Sequence, residues 1–149
     1  MAKPQTDSWV KRAQRVLGES RRGTGAARRA LLELLDAQPC ALTALEIEDV
    51  LREGERPVAR ASIYRILDEL ERLNLVHKIQ VGQAMARYEP VRLGEGHHHH
   101  LVCDSCGTVI PFSDRELESA IRKLSGRVPI QVAEHEIVLH GACETCAET

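Results

Sequence analysis

Four of the five cysteines form two Cys-x-x-Cys pairs whose spacing is typical of a metal site. Cys103 and Cys106 form the first pair, and Cys143 and Cys146 form the second. A three-residue step lets both sulfurs of a pair reach one ion, and four thiolates complete the closed shell of a structural zinc. A redox pair would instead need an exposed, acidified thiol at a helix start, whereas both pairs follow predicted strands. The pattern therefore predicts structural zinc rather than disulfides or redox chemistry.

Four consecutive histidines, residues 97–100, stand directly before the first cysteine pair. If this run is a β-strand, its side chains alternate between two faces. The first and third histidines then point one way and the second and fourth the other, which predicts two metal sites. The alternative is that one pair simply faces water. Imidazole suits zinc, iron(II), manganese and nickel, and each site needs further ligands that composition alone does not select. The candidates are His77, Glu89, Glu118, His135 and His140.

Length and charge limit the classes of protein that this chain can represent. Its 149 residues suffice for one compact domain or two small ones. It has neither the apolar run of roughly 20 residues that spans a membrane nor a signal peptide, which predicts a cytoplasmic protein with no membrane contact. Residues 1–30 carry eight basic and two acidic side chains, whereas residues 91–149 carry five basic and nine acidic ones. The basic part favours an anionic partner such as nucleic acid, and the acidic, His/Cys-rich part favours cations.

The first 90 residues predict three helices and a hairpin. A short amphipathic helix covers residues 28–35, and a capping-box pattern at residues 43–46 begins a second helix. A third helix runs from Ser62 to Asn74 with an apolar stripe at helical spacing. Residues 76–81 alternate like a strand, and residues 85–88 can run back beside them. This order predicts a winged helix-turn-helix.

The C-terminal part predicts a small α/β unit. Strands are expected on both sides of the first cysteine pair, followed by a helix capped by Ser113 and ending near Leu124. The β-branched segment from Ile130 to Leu139 predicts a final strand. The segment at residues 91–96, which contains two glycines, reads as a linker between the two parts.

A set of motifs in this order resembles the ferric uptake regulator family of bacterial metal-dependent repressors. The resemblance implies an α+β homodimer that is not an enzyme and that binds a near-palindromic double-stranded DNA operator when its hinge site holds metal. It assigns residues 1–90 to a winged-helix DNA-binding domain, 91–96 to a hinge linker, and 97–149 to an α/β dimerisation and metal-binding domain. The motifs cover nearly the whole chain and are SIYRIL at 62–67, Tyr88-Glu89, HHHHLVCDSCG at 97–107, Phe112-Ser113-Asp114, and His135 with His140-Gly141-x-Cys143-x-x-Cys146.

The resemblance also assigns three metal sites, which are a structural zinc site, a sensory site and a third site. The sensory site is regulatory and takes zinc or iron(II), or manganese. The structural zinc ligands are Cys103, Cys106, Cys143 and Cys146. The sensory ligands are His77, Glu89, His98 and His100. The ligands of the third site are His97, His99, Glu118 and His135.

Two departures from the family pattern concern the sensory site. Iron-sensing members place a histidine where this chain has Cys40-Ala41-Leu42; Ala41 cannot ligate, and Cys40 does so only if the register shifts. His77, in contrast, falls where zinc-uptake regulators keep a ligand. Glu89 is the choice of iron sensors, whereas peroxide sensors of the family favour aspartate, so peroxide sensing is the more distant alternative.

The third predicted helix is the expected reader of DNA. By position in the family, Ser62, Tyr64 and Arg65 face the major groove, and Arg22 in the basic arm contacts the minor groove. A zinc hydrolase or deaminase is disfavoured because the His-x-Glu and Pro-Cys-x-x-Cys pattern is missing. A passive metal buffer would have no use for such a helix.

Overall fold

The computed structural model describes residues 8–19, 25–38, 40–54, 57–80, 85–92 and 97–148. The chain divides into two compact units, Met1–Glu95 and Gly96–Thr149. Each unit combines helices with one three-stranded sheet, which confirms the α+β class. None of the described helices is long and apolar enough to cross a membrane.

The described residues of the N-terminal unit form four helices and three strands, which are α1 (Trp9–Glu19), α2 (Ala26–Ala37), β1 (Leu42–Thr43), α3 (Ala44–Arg52), α4 (Arg60–Arg72), β2 (Val76–Ile79) and β3 (Arg87–Pro90). The strands make an antiparallel sheet of order β1-β3-β2. Helices α3 and α4 and the β2–β3 hairpin form the predicted winged helix-turn-helix. The predicted hairpin turn at residues 82–83 lies outside the described residues.

Helix α3 begins and ends as its sequence predicts. Helix α4 ends before Asn74 as predicted but begins at Arg60, two residues before the predicted start at Ser62, because its N-cap, Ala59, has no side-chain cap that the sequence could signal. The Thr43 hydroxyl accepts from the Glu46 backbone N–H, and the Glu46 carboxylate accepts from the Thr43 N–H, which completes a capping box. Helix α4 buries its apolar stripe, and Asn74 follows it with a φ of 55°, a left-handed conformation that ends a helix. The buried apolar residues of α4 are Ile63, Ile66, Leu67 and Leu70.

Helix α1 and strand β1 are additions to the sequence prediction. Helix α1 buries Trp9, Ala13 and Leu17 at four-residue spacing, and the Trp9 indole N–H donates to the Leu75 carbonyl at 2.8 Å. Strand β1 has only two residues and pairs with β3. Both elements enlarge the hydrophobic core of the N-terminal unit, against which α4 is held.

The described residues of the C-terminal unit form β4 (His99–Cys103), β5 (Val109–Phe112), α5 (Arg115–Ser125), β6 (Val138–Gly141) and α6 (Glu144–Ala147). Strand β4 is central, because β5 pairs with it antiparallel and β6 pairs with it parallel. A parallel pair needs a crossover connection, and helix α5 lies within it.

Two local predictions for this unit were wrong. The last strand covers Val138–Gly141 rather than Ile130–Leu139, because a strand needs a hydrogen-bonding partner and residues 130–137 have no ladder within the described part of the chain. The cap of α5 is Asp114 rather than Ser113, since the Asp114 carboxylate accepts from the Leu117 backbone N–H at 2.8 Å.

Replacing Asp114 with alanine should therefore lower the free energy of unfolding of the zinc-loaded protein by about 1 kcal/mol, because the cap of α5 is lost. Ser113→Ala is the matched control and should change it by only a few tenths. Urea denaturation followed by circular dichroism measures both. Equal losses in the two variants would contradict the assignment of the cap.

Candidate metal centre and nucleic-acid interface

Strand β4, the turn after it and helix α6 bring the four paired cysteines together. Cys103 ends β4, and Cys106 lies in the turn that continues through Gly107, whose φ is 74°. Cys143 is the N-cap of α6, and Cys146 lies within that helix. The four sulfurs all lie within 4.8 Å of one another, and the Sγ atoms of Cys106 and Cys143 are 3.9 Å apart. Zinc–sulfur bonds of about 2.3 Å put tetrahedral sulfurs about 3.8 Å apart, so this set fits one zinc ion.

The electrostatics of the four thiols also favour a bound cation. The Cys143 backbone N–H donates to the Cys103 sulfur at 3.3 Å, and it is the main reason that the pKa of Cys103 falls to about 6. Hydrogen bonding with Cys143 and the other thiols of the cluster raises the pKa of Cys146 to about 12. One thiolate therefore forms readily, whereas four adjacent thiolates need a positive ion to offset their repulsion.

The four consecutive histidines at residues 97–100 form a tetrad, and its first and third members join a second ligand cluster. This cluster is centred on Glu118 of α5. The Glu118 Oε1 atom lies 2.6 Å from Nε2 of His99 and 3.3 Å from Nε2 of His97. Its Oε2 atom lies 3.1 Å from Nε2 of His135, and the Nε2 atoms of His97 and His135 are 2.9 Å apart. These four residues are the predicted third metal site, and the structure brings all of them together.

The Glu118 carboxylate is held in the form that binds metal. Its hydrogen bond with His99 is the largest of the effects that lower the pKa of Glu118, and His135 and His97 act in the same direction. Three imidazoles and one carboxylate form a nitrogen–oxygen set that suits zinc, iron(II) or manganese. Because α5 carries the carboxylate, the segment before β4 carries His97, and β4 itself carries His99, the cluster fastens the helix to the sheet.

The second and fourth histidines form a separate pair. The rings of His98 and His100 stand edge to face with centroids 4.9 Å apart, and those of His97 and His99 are also 4.9 Å apart. His100 is 2% exposed, so its ring is not merely a solvated side chain. The tetrad therefore separates into two pairs, as strand alternation predicts.

In the N-terminal unit, the buried carboxylate of Glu89 lies close to the Cys40 thiol. Glu89 on β3 is buried and lies directly opposite His77 on β2, but His77 is exposed and belongs to no group of three or more metal-competent side chains in the described residues. The Sγ atom of Cys40 lies within 4.8 Å of a Glu89 carboxylate oxygen. Burial, and then the charge of Glu89, raises the pKa of the Cys40 thiol. The sequence signal for Cys40 was a thiol directly before Ala41, a residue that cannot itself ligate.

Helix α4 presents polar side chains opposite its buried stripe. Tyr64 and Arg65 are exposed, Ser62 is half-buried, and an Arg65 Nη2 group donates to the Ser62 hydroxyl at 3.0 Å. Ser62 and Arg65 therefore lie side by side, and Tyr64 is exposed on the same helix, so α4 presents polar side chains that a groove of DNA can reach. The fourth predicted DNA contact, Arg22, lies outside the described residues.

Comparison with known proteins gives concordant results. Residues 22–140 match the family model described as the ferric uptake regulator family. A ferric uptake regulation protein of Bacillus subtilis is 31% identical over 114 residues, which are 76% of this chain and 76% of that protein.

Solved structures with a similar fold cover nearly the whole chain. The ferric uptake regulator of Helicobacter pylori, described as having three functional metal-binding sites, aligns with a TM-score of 0.84 over 100% of this chain and 99% of that one. Their identity is 23%, so this likeness concerns the fold. A zinc uptake regulator complexed with zinc and DNA aligns with a TM-score of 0.55 and 26% identity, over 98% of this chain and 97% of that one.

Replacing Cys143 with serine should remove one tightly held zinc ion per protomer and unfold the C-terminal unit, because three thiolates do not close the shell. Metal analysis after dialysis against a weak chelator measures the zinc, and thermal denaturation followed by circular dichroism measures the fold. Ser105→Ala, between the cysteines of the first pair, is the matched control and should keep both. A folded Cys143→Ser protein with unchanged zinc content would refute the structural zinc.

Glu118→Gln should weaken zinc binding at the second cluster by on the order of 10-fold or more, because an amide lacks the charge that the three imidazoles surround. Calorimetric titration of zinc into protein that retains only its cysteine-bound ion provides the measurement. Glu116→Gln changes an exposed carboxylate on the same helix and should bind as the wild type does. Identical titrations for the two variants would show that this cluster is a hydrogen-bond network and not a metal site.

Proposed function

Because this chain belongs to the ferric uptake regulator family, whose members are metal-responsive transcriptional regulators and not enzymes, we propose that it is a homodimeric repressor controlling metal uptake or homeostasis. The observation that carries this proposal is the separation of four consecutive histidines into two pairs. One pair belongs to a cluster within the C-terminal unit, and the other pair lies apart from that cluster, where it can ligate a second, regulatory ion. A repressor of this kind acts in the cytoplasm, where the bacterial chromosome lies.

The DNA-binding surface in this proposal is the polar face of α4. The helix enters the major groove, where the Tyr64 ring can contact a thymine methyl group and the Arg65 guanidinium can bind phosphate or guanine. Ser62 lies beside them and orients Arg65 through its hydroxyl. Arg22 and its basic neighbours add backbone affinity that falls with salt.

Dimerisation through the C-terminal unit is supported by its apolar surface. No residue of α5 is buried, although the helix carries Leu117, Ile121 and Leu124. Many large exposed apolar side chains on a small unit are typical of an interface, and a second copy would cover them. A two-fold dimer presents two copies of α4, so the operator should be near-palindromic. The large exposed apolar residues described in this unit are Leu101, Ile110, Leu124, Val128, Ile130, Val132 and Leu139, against Val50, Tyr64 and Met85 in the N-terminal unit.

The three sets of ligands have different roles in this proposal. The four cysteines hold a structural zinc, and the Glu118 cluster holds a second ion that fastens α5 to the sheet. The regulatory ion, zinc or iron(II), or manganese, is shared between His98 and His100 of the C-terminal unit and Glu89 of the N-terminal unit. Sharing one ion restrains the DNA-binding domains relative to the dimer, so that binding shifts the population towards the form that fits the operator.

The remaining ligand of the regulatory ion is His77 or Cys40. His77 follows from the family resemblance and lies opposite Glu89 in the sheet register. Cys40 is favoured by its distance, because its sulfur lies within 4.8 Å of the Glu89 carboxylate. The choice bears on the metal, since a thiolate favours zinc over the harder ions iron(II) and manganese.

The double variant His98→Ala/His100→Ala should lose metal-dependent DNA binding while remaining a folded dimer. It removes two ligands of the regulatory ion and no ligand of the other two ions. Fluorescence anisotropy measures the affinity for a duplex selected by the zinc-loaded wild type from a random library. His140→Ala is the matched control, since His140 belongs to neither histidine pair, and it should bind as the wild type does. Undiminished metal-dependent binding by the double variant would refute the regulatory assignment.

The same assay identifies the remaining ligand. If the Cys40 thiol ligates, Cys40→Ser should bind DNA weakly even at raised free zinc, whereas His77→Ala should respond to zinc as the wild type does. If the His77 imidazole ligates, the two variants should behave in the opposite way. A purely passive metal buffer would show no metal-dependent binding in any of these proteins.

A further inference from the structure

The Glu48 carboxylate binds two arginines where α3 lies beside the start of α4. The Glu48 Oε2 atom accepts from Nε of Arg60 at 2.6 Å, and its Oε1 atom accepts from Nη2 of Arg52 at 3.2 Å. Arg60 is the first residue of α4, and Glu48 and Arg52 lie on α3. Glu48 thus joins the two helices of the helix-turn-helix through one side chain. This joint lies at the N-terminal end of α4, and a recognition helix contacts base edges with its N-terminal residues.

The two partners of the shorter contact differ in accessibility. The Glu48 side chain is 14% exposed, whereas that of Arg60 is 57% exposed. The carboxylate therefore lies beneath the guanidinium and aims it outwards. The Arg60 hydrogen bond is the largest of the effects that lower the pKa of Glu48, so the carboxylate stays charged and the contact persists.

The atoms used in this contact decide what Arg60 can still bind. Glu48 takes the Nε–H, and neither Nη group of Arg60 donates a hydrogen bond to any residue that the structure describes. Two parallel N–H groups at the end of a planar guanidinium match the O6 and N7 acceptors of guanine in the major groove. Tyr64 lies one turn further along α4 on the same face and is exposed as well.

A purely stabilising role explains the arrangement less well. Exposed ion pairs contribute little to folding, and the capping box and buried stripe already hold α3 and α4 in place. A carboxylate that fixes an arginine by its Nε edge instead removes the rotational freedom that a flexible side chain would lose on binding a base.

We propose that Arg60 reads a guanine in each operator half-site and that Glu48 is its positioning residue. This inference rests on the proposed DNA-binding function and adds one determinant of operator sequence to it. Lysine at this position keeps the charge but lacks both the rigid pair of parallel N–H donors and the Nε–H that Glu48 holds, so Arg60→Lys separates base reading by the fixed guanidinium from electrostatic attraction.

The test is selection from a random duplex library by the full-length, zinc-loaded protein, followed by anisotropy titrations on the selected duplex and on duplexes with single base changes. The wild type should enrich a near-palindrome with a guanine in each half-site, and replacing that guanine should weaken binding on the order of 10-fold. Arg60→Lys should lose that preference while keeping the others, and Glu48→Gln should relax it partially. Arg72→Lys, in the last turn of the same helix, is the matched control and should keep it. Circular dichroism confirms that each variant is folded.

Three outcomes would overturn the inference. If Arg60→Lys retains the guanine preference, Arg60 does not read that base. If the variant loses affinity equally for every duplex and its salt dependence falls, Arg60 contacts phosphate. If the zinc-loaded wild type enriches no sequence at all, the proposed DNA-binding function fails, and this inference fails with it.

Discussion

Side chains alternate between the two faces of a β-strand, and the organisation of the metal ligands depends on how this constraint acts on β4 and the residues before it. Four consecutive histidines cannot converge on one ion when neighbours point in opposite directions. One pair reaches Glu118 and His135, and the other pair faces away from them. The strand then ends in Cys103, so a third donor set begins where the histidines stop. The segment from His97 to Cys103 thereby distributes its side chains among three ligand sets with different partners.

The two units differ in how much apolar packing stabilises each of them, and the proposed metal ions offset that difference. The N-terminal unit has a core of leucine, isoleucine and other apolar side chains from all four of its helices. In the C-terminal unit the buried side chains among the described residues are Val102, Cys103, His99 and His100. So small an apolar core stabilises a domain of this size poorly, whereas in the proposed function a zinc ion and a second copy against the exposed apolar surface supply the missing stability. On that proposal, the N-terminal unit folds around hydrophobic residues and the fold of the C-terminal unit depends on ions.

The sequence was most informative where local spacing decides the outcome. The capping box at Thr43, the apolar stripe of α4 and the Cys-x-x-Cys pairs depend on neighbours within a few residues, and the structure contains all of them as predicted. The last strand and the cap of α5 were misplaced, because strand propensity at residues 130–137 does not supply a pairing partner, and Ser113 and Asp114 are equally plausible caps by type. The proximity of Cys40 to Glu89 and of Glu48 to Arg60 depends on tertiary packing, which periodicity alone does not reveal.

In the proposed function, occupancy of the regulatory site and operator binding are thermodynamically linked. The most direct test measures operator affinity across buffered free zinc, iron(II) and manganese, and then metal affinity with and without a saturating operator duplex. Linkage requires both factors to be equal, and a typical coupling would make each about 5- to 150-fold for the physiological metal. An operator affinity that is independent of every free metal, with the cysteine-bound zinc retained, would contradict the account.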